Sequence, residues 1–114
     1  ATVCGDRLML RRAMGNLLSN ALRHTPRDGQ VAIALAVADG IATVGISNTG
    51  ATIPPEHLPR LFDRFFRADP SRHRDSEGAG LGLAITRSIM RAHGGDATVR
   101  SENGTTTFEL RIPA

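Results

Sequence analysis

The sequence predicts an α+β domain in which helices pack on one face of a largely antiparallel sheet. Two pairs of short strands are joined by Asp39-Gly40 and Asn103-Gly104, dipeptides that are typical of tight β-hairpins. Two longer segments, near residues 6–24 and 83–93, repeat apolar residues at helical spacing. The order helix, hairpin, short helical turns, helix, hairpin fits one domain, residues 1–114.

Composition excludes two common ATP sites. The chain carries a formal net charge of +3, and all 14 of its basic residues are arginines. The Walker P-loop and the protein-kinase site both place a lysine on the phosphates, so neither is present. Cys4 is the only cysteine, so no internal disulfide can form and a reducing compartment is expected. No apolar run reaches membrane-spanning length, so this segment is not expected to be embedded in a membrane.

The first helix is expected to run from the capping residue Asp6 to about His24. Its apolar stripe consists of Leu10, Ala13, Met14, Leu17 and Ala21. Asn16, Asn20 and Arg23 share a second stripe beside it. Asparagine has poor helix propensity, so this pair needs another reason to be there. The amides either hydrogen-bond to backbone at the edge of the core, or offer oxygen to a cation beside a phosphate-binding arginine.

The first hairpin is predicted from alternating apolar residues between Gln30 and Ser47. Its second strand ends at Ser47-Asn48-Thr49-Gly50, which places the amide of Asn48 at a strand end beside a glycine turn. This amide either forms an Asx-turn or reads the edge of a base.

Prolines 54, 55 and 59 limit the next segment to short helical turns. Phe62, Phe65 and Phe66 share one face there, and core packing is expected for at least one of them. Residues 68–77 are charged and lack large apolar side chains, so a mobile loop is expected. Within it, Arg72 and Arg74 either reach an anion or are solvated charges.

Alternate glycines precede the second long helix, in Glu77-Gly-Ala-Gly-Leu-Gly-Leu-Ala-Ile85. Gly78, Gly80 and Gly82 let the backbone turn tightly and approach a ligand closely. The first N–H groups of the helix are then free for a polyphosphate. The same pattern also describes a flexible turn before a helix, so it does not decide by itself. His93-Gly94-Gly95 is predicted to end the helix as a glycine C-cap.

Four motifs stand in a fixed order along the chain. They are Asn16-Leu-Leu-Ser-Asn20-Ala-Leu-Arg-His-Thr-Pro26, Asn48-Thr-Gly50-x-x-Ile53-Pro54, Leu61-Phe-Asp-Arg-Phe65 and Gly78-x-Gly80-Leu-Gly82-Leu. Together they resemble the N, G1, F and G2 boxes of the catalytic ATP-binding domain of bacterial sensor histidine kinases, which have the Bergerat or GHKL fold. The resemblance covers nearly the whole chain, and residues 61–72 look most like the heavy-metal sensor subgroup. It implies a two-layer α/β sandwich with a mixed, largely antiparallel sheet and about three helices on one face.

The resemblance implies that ATP and Mg²⁺ are the cofactors. Asn20 would be the Mg²⁺ ligand, Asn16 would support it one turn earlier, Arg23 would contact phosphate and His24 would flank the nucleotide. The other implied nucleotide-binding residues are Asn48, Gly50, Ile53, Phe62, Phe65, Arg72, Arg74, Gly78, Gly80, Leu81, Gly82 and Leu83. Residues 68–77 would form the lid of the site.

The G1 box departs from the family pattern at two positions. The family usually begins this box with Asp, whose carboxylate accepts a hydrogen bond from the adenine amino group, whereas this chain has Asn48. An amide oxygen can accept that bond while the amide nitrogen donates elsewhere, and Asn48→Asp is expected to strengthen ATP binding. The second glycine of the box is replaced by Thr52, so a stiffer turn is expected.

Position 16 favours phosphotransfer over hydrolysis. ATP-hydrolysing relatives such as gyrase, Hsp90 and MutL-type proteins carry Glu there as general base, and Asn16 cannot take up a proton. Transfer to a histidine needs no such base, because the imidazole is the nucleophile. We therefore expect a protein-histidine kinase, with a GHKL-type ATPase or a degenerate nucleotide-binding or protein-interaction module as the alternative. A nucleic-acid binder is not expected, because the arginines are dispersed and the aromatics few.

The histidine that accepts the phosphate is expected elsewhere. His24, His57, His73 and His93 each lie in a motif or at a helix end, and with Cys4 they are too scattered for a metal-ligand set. We interpret the chain, which does not begin with Met, as a fragment of a longer sensor. The implied partners are its own dimerisation and phosphoacceptor domain and, through that domain, a response regulator. The expected location is the cytoplasmic side of an inner-membrane protein.

Overall fold

The computed structural model of the chain describes residues 5–63 and 81–113. The first part contains helix α1 (Arg7–His24), strands β1 (Val31–Ala38) and β2 (Ile41–Thr49), and a short 3₁₀ helix (Leu58–Arg60). The second part contains helix α2 (Leu81–Ala92) and strands β3 (Asp96–Glu102) and β4 (Thr105–Pro113). This order confirms the α+β class and the sequence of elements predicted above.

The four strands form one sheet in the order β1-β2-β4-β3. All three neighbouring pairs are antiparallel, so the described part of the sheet shows no parallel pair, where a mixed sheet was expected. β2 ends at Thr49, within the predicted segment Ser47–Gly50. Asn48 pairs with Val31 on one side and with Thr106 on the other.

Both hairpins turn where the sequence predicted. Asp39 and Gly40 have φ of 54° and 75°, and Asn103 and Gly104 have φ of 51° and 77°. Two successive residues of positive φ match the right-handed twist of antiparallel strands, and Asn, Asp and Gly tolerate that conformation. These turns set the register of both hairpins.

Helix α1 begins at its predicted cap, since the Asp6 carboxylate accepts a hydrogen bond from the Met9 N–H at 3.1 Å. Its predicted apolar stripe faces the sheet, with Ala13, Leu17 and Ala21 fully buried. α2 packs beside it, and the two helices cover β2, β4 and β3. The core side chains of this layer include Ile46, Ile89, Met90, Ala97, Phe108, Leu110 and Ile112.

The apolar alternation of β1 predicts a strand, but the described helices do not cover it. Ile33, Leu35 and Val37 share the face of Ile46 through the strand register, yet they are 57%, 63% and 50% exposed. The structure describes two α-helices and one 3₁₀ helix, where about three helices were expected. The helical layer therefore ends at β2 within the described residues.

The two helices run antiparallel and are joined near both ends of α2. The Asp6 N–H donates to His93 Nε2 at 2.9 Å, so the ring proton lies on Nδ1, which donates to the Ile89 carbonyl at 2.8 Å. Farther along α1, Asn16 Nδ2 donates to the Gly82 carbonyl at 3.2 Å. The N-terminus of α2 is thereby held against the middle of α1.

An ionic contact joins the end of α2 to β3. The Asp96 carboxylate accepts hydrogen bonds from Arg87 Nε at 3.3 Å, Arg91 Nε at 3.2 Å and the Ala97 N–H at 2.8 Å. Partial burial raises the pKa of Asp96, but the bonds from Ala97 and both arginines outweigh it, so the pKa lies below its usual value.

We expect Asp96→Asn to lower the free energy of unfolding by less than about 1 kcal/mol at neutral pH, since the carboxylate is partly exposed. Because the folded-state pKa is depressed, the charged form contributes stability above the usual value of 3.8 and loses it as the pH falls further. Urea unfolding at pH 7 and at pH 3 measures this. The difference between wild type and variant should shrink at the lower pH, and a constant difference would contradict the assignment. Asp63→Asn, which removes an exposed pair with Arg60, is the control.

Candidate nucleotide-binding site

Most of the predicted site residues that the structure describes lie toward one end of the sheet. α1 ends there, α2 begins there, β2 ends there, and the β3–β4 turn closes the same edge. Gly50 is a close contact point between these elements. A Cβ at this position would lie 3.1 Å from the His24 carbonyl oxygen and 3.4 Å from Asn48 Nδ2, and the Gly50 N–H donates to the Gly104 carbonyl at 2.9 Å. Glycine therefore lets the G1 segment pass between the end of α1 and the hairpin.

The polar stripe of α1 divides into two roles. Asn16 is half-buried and its amide bonds to the Gly82 backbone, which is the structural alternative left open above. Asn20 is half-buried and Arg23 is exposed, and neither side chain has a hydrogen bond or ion pair with any other described residue. Since the helices are antiparallel, Asn20 lies about 6 Å farther along α1 than Asn16, beyond the start of α2. The amide and guanidinium groups are therefore available to a ligand at that helix start.

The first turn of α2 suits an anion. It contains no acidic residue, and the first N–H groups of a helix have no partner within it. The Gly82 carbonyl accepts from Asn16 and also from the hydroxyl of the fully buried Thr86, at 2.9 Å. These bonds hold the helix start in place. Leu83 is half-buried and packs on the core, so a nucleotide contact by its side chain stays a prediction.

Asn48 is 4% exposed and lies at the end of β2. Its Nδ2 donates to the Thr49 carbonyl at 3.1 Å. An Asx-turn would need the Gly50 N–H, which instead donates to Gly104, so that alternative is wrong. The reason is the long-range pairing of the loop with the β3–β4 turn.

Two polar residues beside Asn48 were missed by sequence reasoning. Thr106 is 5% exposed and pairs directly with Asn48, and Ser101 pairs with Thr106 on its other side. Directly opposed residues on antiparallel strands share a face and have neighbouring side chains. The Ser101 and Thr106 hydroxyl oxygens are 2.8 Å apart, and Ser101 also accepts from the Ile53 N–H at 2.8 Å. The signal was available, since both residues occupy core-facing positions of an otherwise apolar alternation.

The remaining G1 residues are tied to the same hairpin. Ile53 is half-buried and is held by its backbone bond to Ser101. Thr52, which replaces the family's second glycine, accepts a hydrogen bond from the Gly104 N–H at 2.8 Å. Together with the Gly50 bond, this contact fastens the loop to the β3–β4 turn at two points.

Phe62 is a core residue. Its ring packs edge-to-face on Phe108, with centroids 5.9 Å apart, and the Arg87 guanidinium lies 5.1 Å from its centroid. This confirms core packing for at least one of the three phenylalanines. The predicted residues Phe65, Arg72, Arg74, Gly78 and Gly80, the lid at 68–77 and the side chain of Leu81 lie outside the described residues.

No group of three or more His, Cys, Asp or Glu side chains that could hold a metal ion occurs in residues 5–63 and 81–113. None of the helices described there is both long and apolar enough to span a bilayer.

Residues 5–114 match the family model described as Histidine kinase-, DNA gyrase B-, and HSP90-like ATPase. The chain belongs to this family. It is 53% identical over 112 residues to "Sensor histidine kinase CusS" of Escherichia coli (strain K12), a match that covers 98% of this chain and 23% of CusS. The chain thus spans less than a quarter of the length of this relative.

Solved structures place it among the histidine kinase members of the family. "Mycobacterial sensor histidine kinase MprB" superposes with a TM-score of 0.84 and 35% identity, over 97% of this chain and 74% of that chain. Full-length ShkA in complex with AMPPNP superposes with a TM-score of 0.74 and 31% identity, over 93% of this chain and 22% of that chain. The resemblance drawn from the four motifs is therefore confirmed, and the chain is a histidine kinase catalytic domain of the GHKL fold.

Proposed function

We propose that the chain binds Mg·ATP at this end of the sheet and donates the γ-phosphate to a histidine on a separate dimerisation domain of a longer sensor protein. The observation that carries the proposal is the hydrogen bond between Asn16 and the Gly82 carbonyl. It holds the polar stripe of α1 against the start of α2, so that two different phosphate-binding features face one space. Family membership and the AMPPNP complex of ShkA support a nucleotide as the ligand.

The proposed site offers groups that favour negatively charged phosphates at three points. Free N–H groups and the helix dipole favour negative charge at the start of α2. Arg23 adds a guanidinium on the same stripe, and the Asn20 oxygen offers Mg²⁺ a ligand of the type it prefers. The other Mg²⁺ ligands would be phosphate oxygens and water. When bound, the ion would neutralise negative charge on the phosphates.

The base has its own polar contact point at the other side of the site. Asn48 is buried yet ends its strand beside the close approach at Gly50, with Ile53 half-buried nearby in sequence. In this arrangement the amide oxygen of Asn48 accepts a hydrogen bond from the 6-amino group of adenine. We propose that Asn48 thus takes the role that Asp has in other members of the family.

The reaction assigned to the site is transfer rather than hydrolysis. Asn16 is uncharged and its amide is used in the bond to Gly82, so no general base stands at that position. In the transfer, an imidazole nitrogen attacks the γ-phosphorus, the bond to the β–γ bridging oxygen breaks, ADP leaves, and the imidazole loses its proton. The protein's part is to position the nucleotide and neutralise its charge.

We place the accepting histidine outside this chain. Both ring nitrogens of His93 are hydrogen-bonded within the fold, so His93 is a structural residue. The relatives are about four times longer than this chain, which leaves room for a dimerisation domain and for contact with a response regulator. Because ATP is available in the cytoplasm, we place the site on the cytoplasmic side of the membrane in which such a sensor lies.

We expect the isolated chain, incubated with γ-labelled ATP and Mg²⁺, not to label itself. When the dimerisation domain of the same sensor is added, that domain should acquire an acid-labile label, because a phosphorylated imidazole hydrolyses in acid. The control is the same domain with its histidine replaced by glutamine, which should stay unlabelled. Acid-labile label on the isolated chain would show that the acceptor is misplaced.

A further inference from the structure

Three uncharged polar side chains form a cluster at the base end of the site. Asn48, Thr106 and Ser101 lie side by side on β2, β4 and β3, on the face that carries the core. An amide and two hydroxyls each contain both a hydrogen-bond donor and an acceptor. The cluster therefore has no fixed preference for a donor or an acceptor on a ligand.

Asn48 itself can offer either a hydrogen-bond donor or an acceptor to a ligand. Nδ2 carries two N–H groups, and one of them is used by the Thr49 carbonyl at 3.1 Å. No other described residue is hydrogen-bonded to this side chain. One N–H donor and the Oδ1 acceptor therefore remain for a ligand. An ionised Asp at the same position would offer acceptors only.

The two hydroxyls can adapt in the same way. Ser101 accepts from the Ile53 N–H and shares a hydrogen bond with Thr106 in which either oxygen can be the donor. If Ser101 donates, the Thr106 O–H points elsewhere as a donor, and if Thr106 donates, its lone pairs remain as acceptors. Rotation of the two hydroxyl protons therefore changes whether the cluster offers a donor or an acceptor to a base.

Purine bases differ in this respect at their 6-position. Adenine presents an amino group, which donates, whereas hypoxanthine and guanine present a carbonyl oxygen, which accepts. We propose that this site binds 6-oxopurine nucleoside triphosphates as well as ATP, and that Asn48 is the residue that sets this breadth. The inference rests on the proposed function, in which the 6-position of the base faces Asn48.

Calorimetric titration of the wild-type chain with Mg·ATP and Mg·ITP tests the inference. ITP is the suitable probe because its base carries the 6-oxo group without the additional 2-amino group of guanine. We expect the two dissociation constants to agree within about tenfold, since each base finds one matching hydrogen-bond partner at Asn48. In Asn48→Asp, the preference for ATP over ITP should increase by about tenfold or more, because two acceptors would then face each other.

Asn103→Asp is the matched control. It makes the same change from amide to carboxylate, with the same change in net charge, in the exposed β3–β4 turn at the same end of the sheet. Its ATP to ITP ratio should equal that of the wild type, whereas a general effect of charge would move both variants alike.

Two results overturn the inference while ATP binding stands. One is a wild-type preference for ATP over ITP of more than about tenfold, and the other is an unchanged ratio in a folded Asn48→Asp variant. Circular dichroism checks that the variant is folded, and if it is not, the wild-type ratio decides alone. A wild type that binds neither nucleotide would instead overturn the proposed function itself, and this inference with it.

Discussion

Asn20→Ala is expected to abolish Mg²⁺-dependent ATP binding, a loss of at least about 100-fold in affinity, while the fold remains intact. Asn20 lies beyond the start of α2 and has no hydrogen bond with another described residue, so its removal costs the structure little. Alanine also has the higher helix propensity, which offsets part of any loss by up to about 0.5 kcal/mol. The lost affinity is the part that depends on Mg²⁺, because the amide oxygen is the protein ligand assigned to that ion.

The measurement is calorimetry of ATP binding with excess Mg²⁺ and again with EDTA. The two proteins should differ strongly with Mg²⁺ and bind alike, weakly, without it. Ser19→Ala, an exposed neighbour on the same helix, should behave as the wild type in both conditions. If Asn20→Ala retains the full stimulation by Mg²⁺, Asn20 is not the ligand.

Gly95→Ala is expected to have the largest effect on stability. A Cβ at this position would overlap with the Arg111 carbonyl oxygen and lie 2.7 Å from the carbonyl carbon. These are backbone atoms of β4, so no side-chain rotation can relieve the overlap, and the strand must move. We expect a loss of about 3 kcal/mol or more in the free energy of unfolding, or a chain that does not fold.

Gly15→Ala is the matched glycine control. Nothing lies within 4 Å of a Cβ at this exposed position of α1, and alanine in a helix is favoured over glycine by up to about 1 kcal/mol. Urea unfolding should therefore show one glycine variant below the wild type and the other at or above it. Equal stability of Gly95→Ala and wild type would mean that Arg111 of β4 does not approach Gly95 so closely.

The adjacent glycines of the α2 C-cap show how local and tertiary requirements separate. Gly94 has φ of +83°, a conformation that the helix end itself demands and that the motif predicts. Gly95 is required for another reason, the close approach of Arg111, which no local pattern announces. Both backbone N–H groups complete the predicted cap, Gly94 to Arg91 and Gly95 to Met90, but only Gly94 needs to be glycine for it.

Elements with short-range causes were determined by the sequence alone. The Asp6 cap, the two hairpin turns and the stop after α2 each depend on residues within a few positions, so pattern and propensity were sufficient. The family also followed from the sequence, because its four boxes are local motifs in a fixed order. The neighbours of each strand were not determined in this way, since Asn48 pairs with Val31 of β1 and also with Thr106 of β4.

Several contacts at the site join distant parts of the chain. The Asn16 amide donates to the Gly82 carbonyl, 66 positions away, and an Asx-turn at Asn48 does not form because the Gly50 N–H donates to Gly104. Thr106 and Ser101 join the site only through strand register. The exposed apolar face of β1 is also a result of tertiary structure. The alternation of residues specifies which side chains share a face, but the packing of the helices decides whether that face is covered.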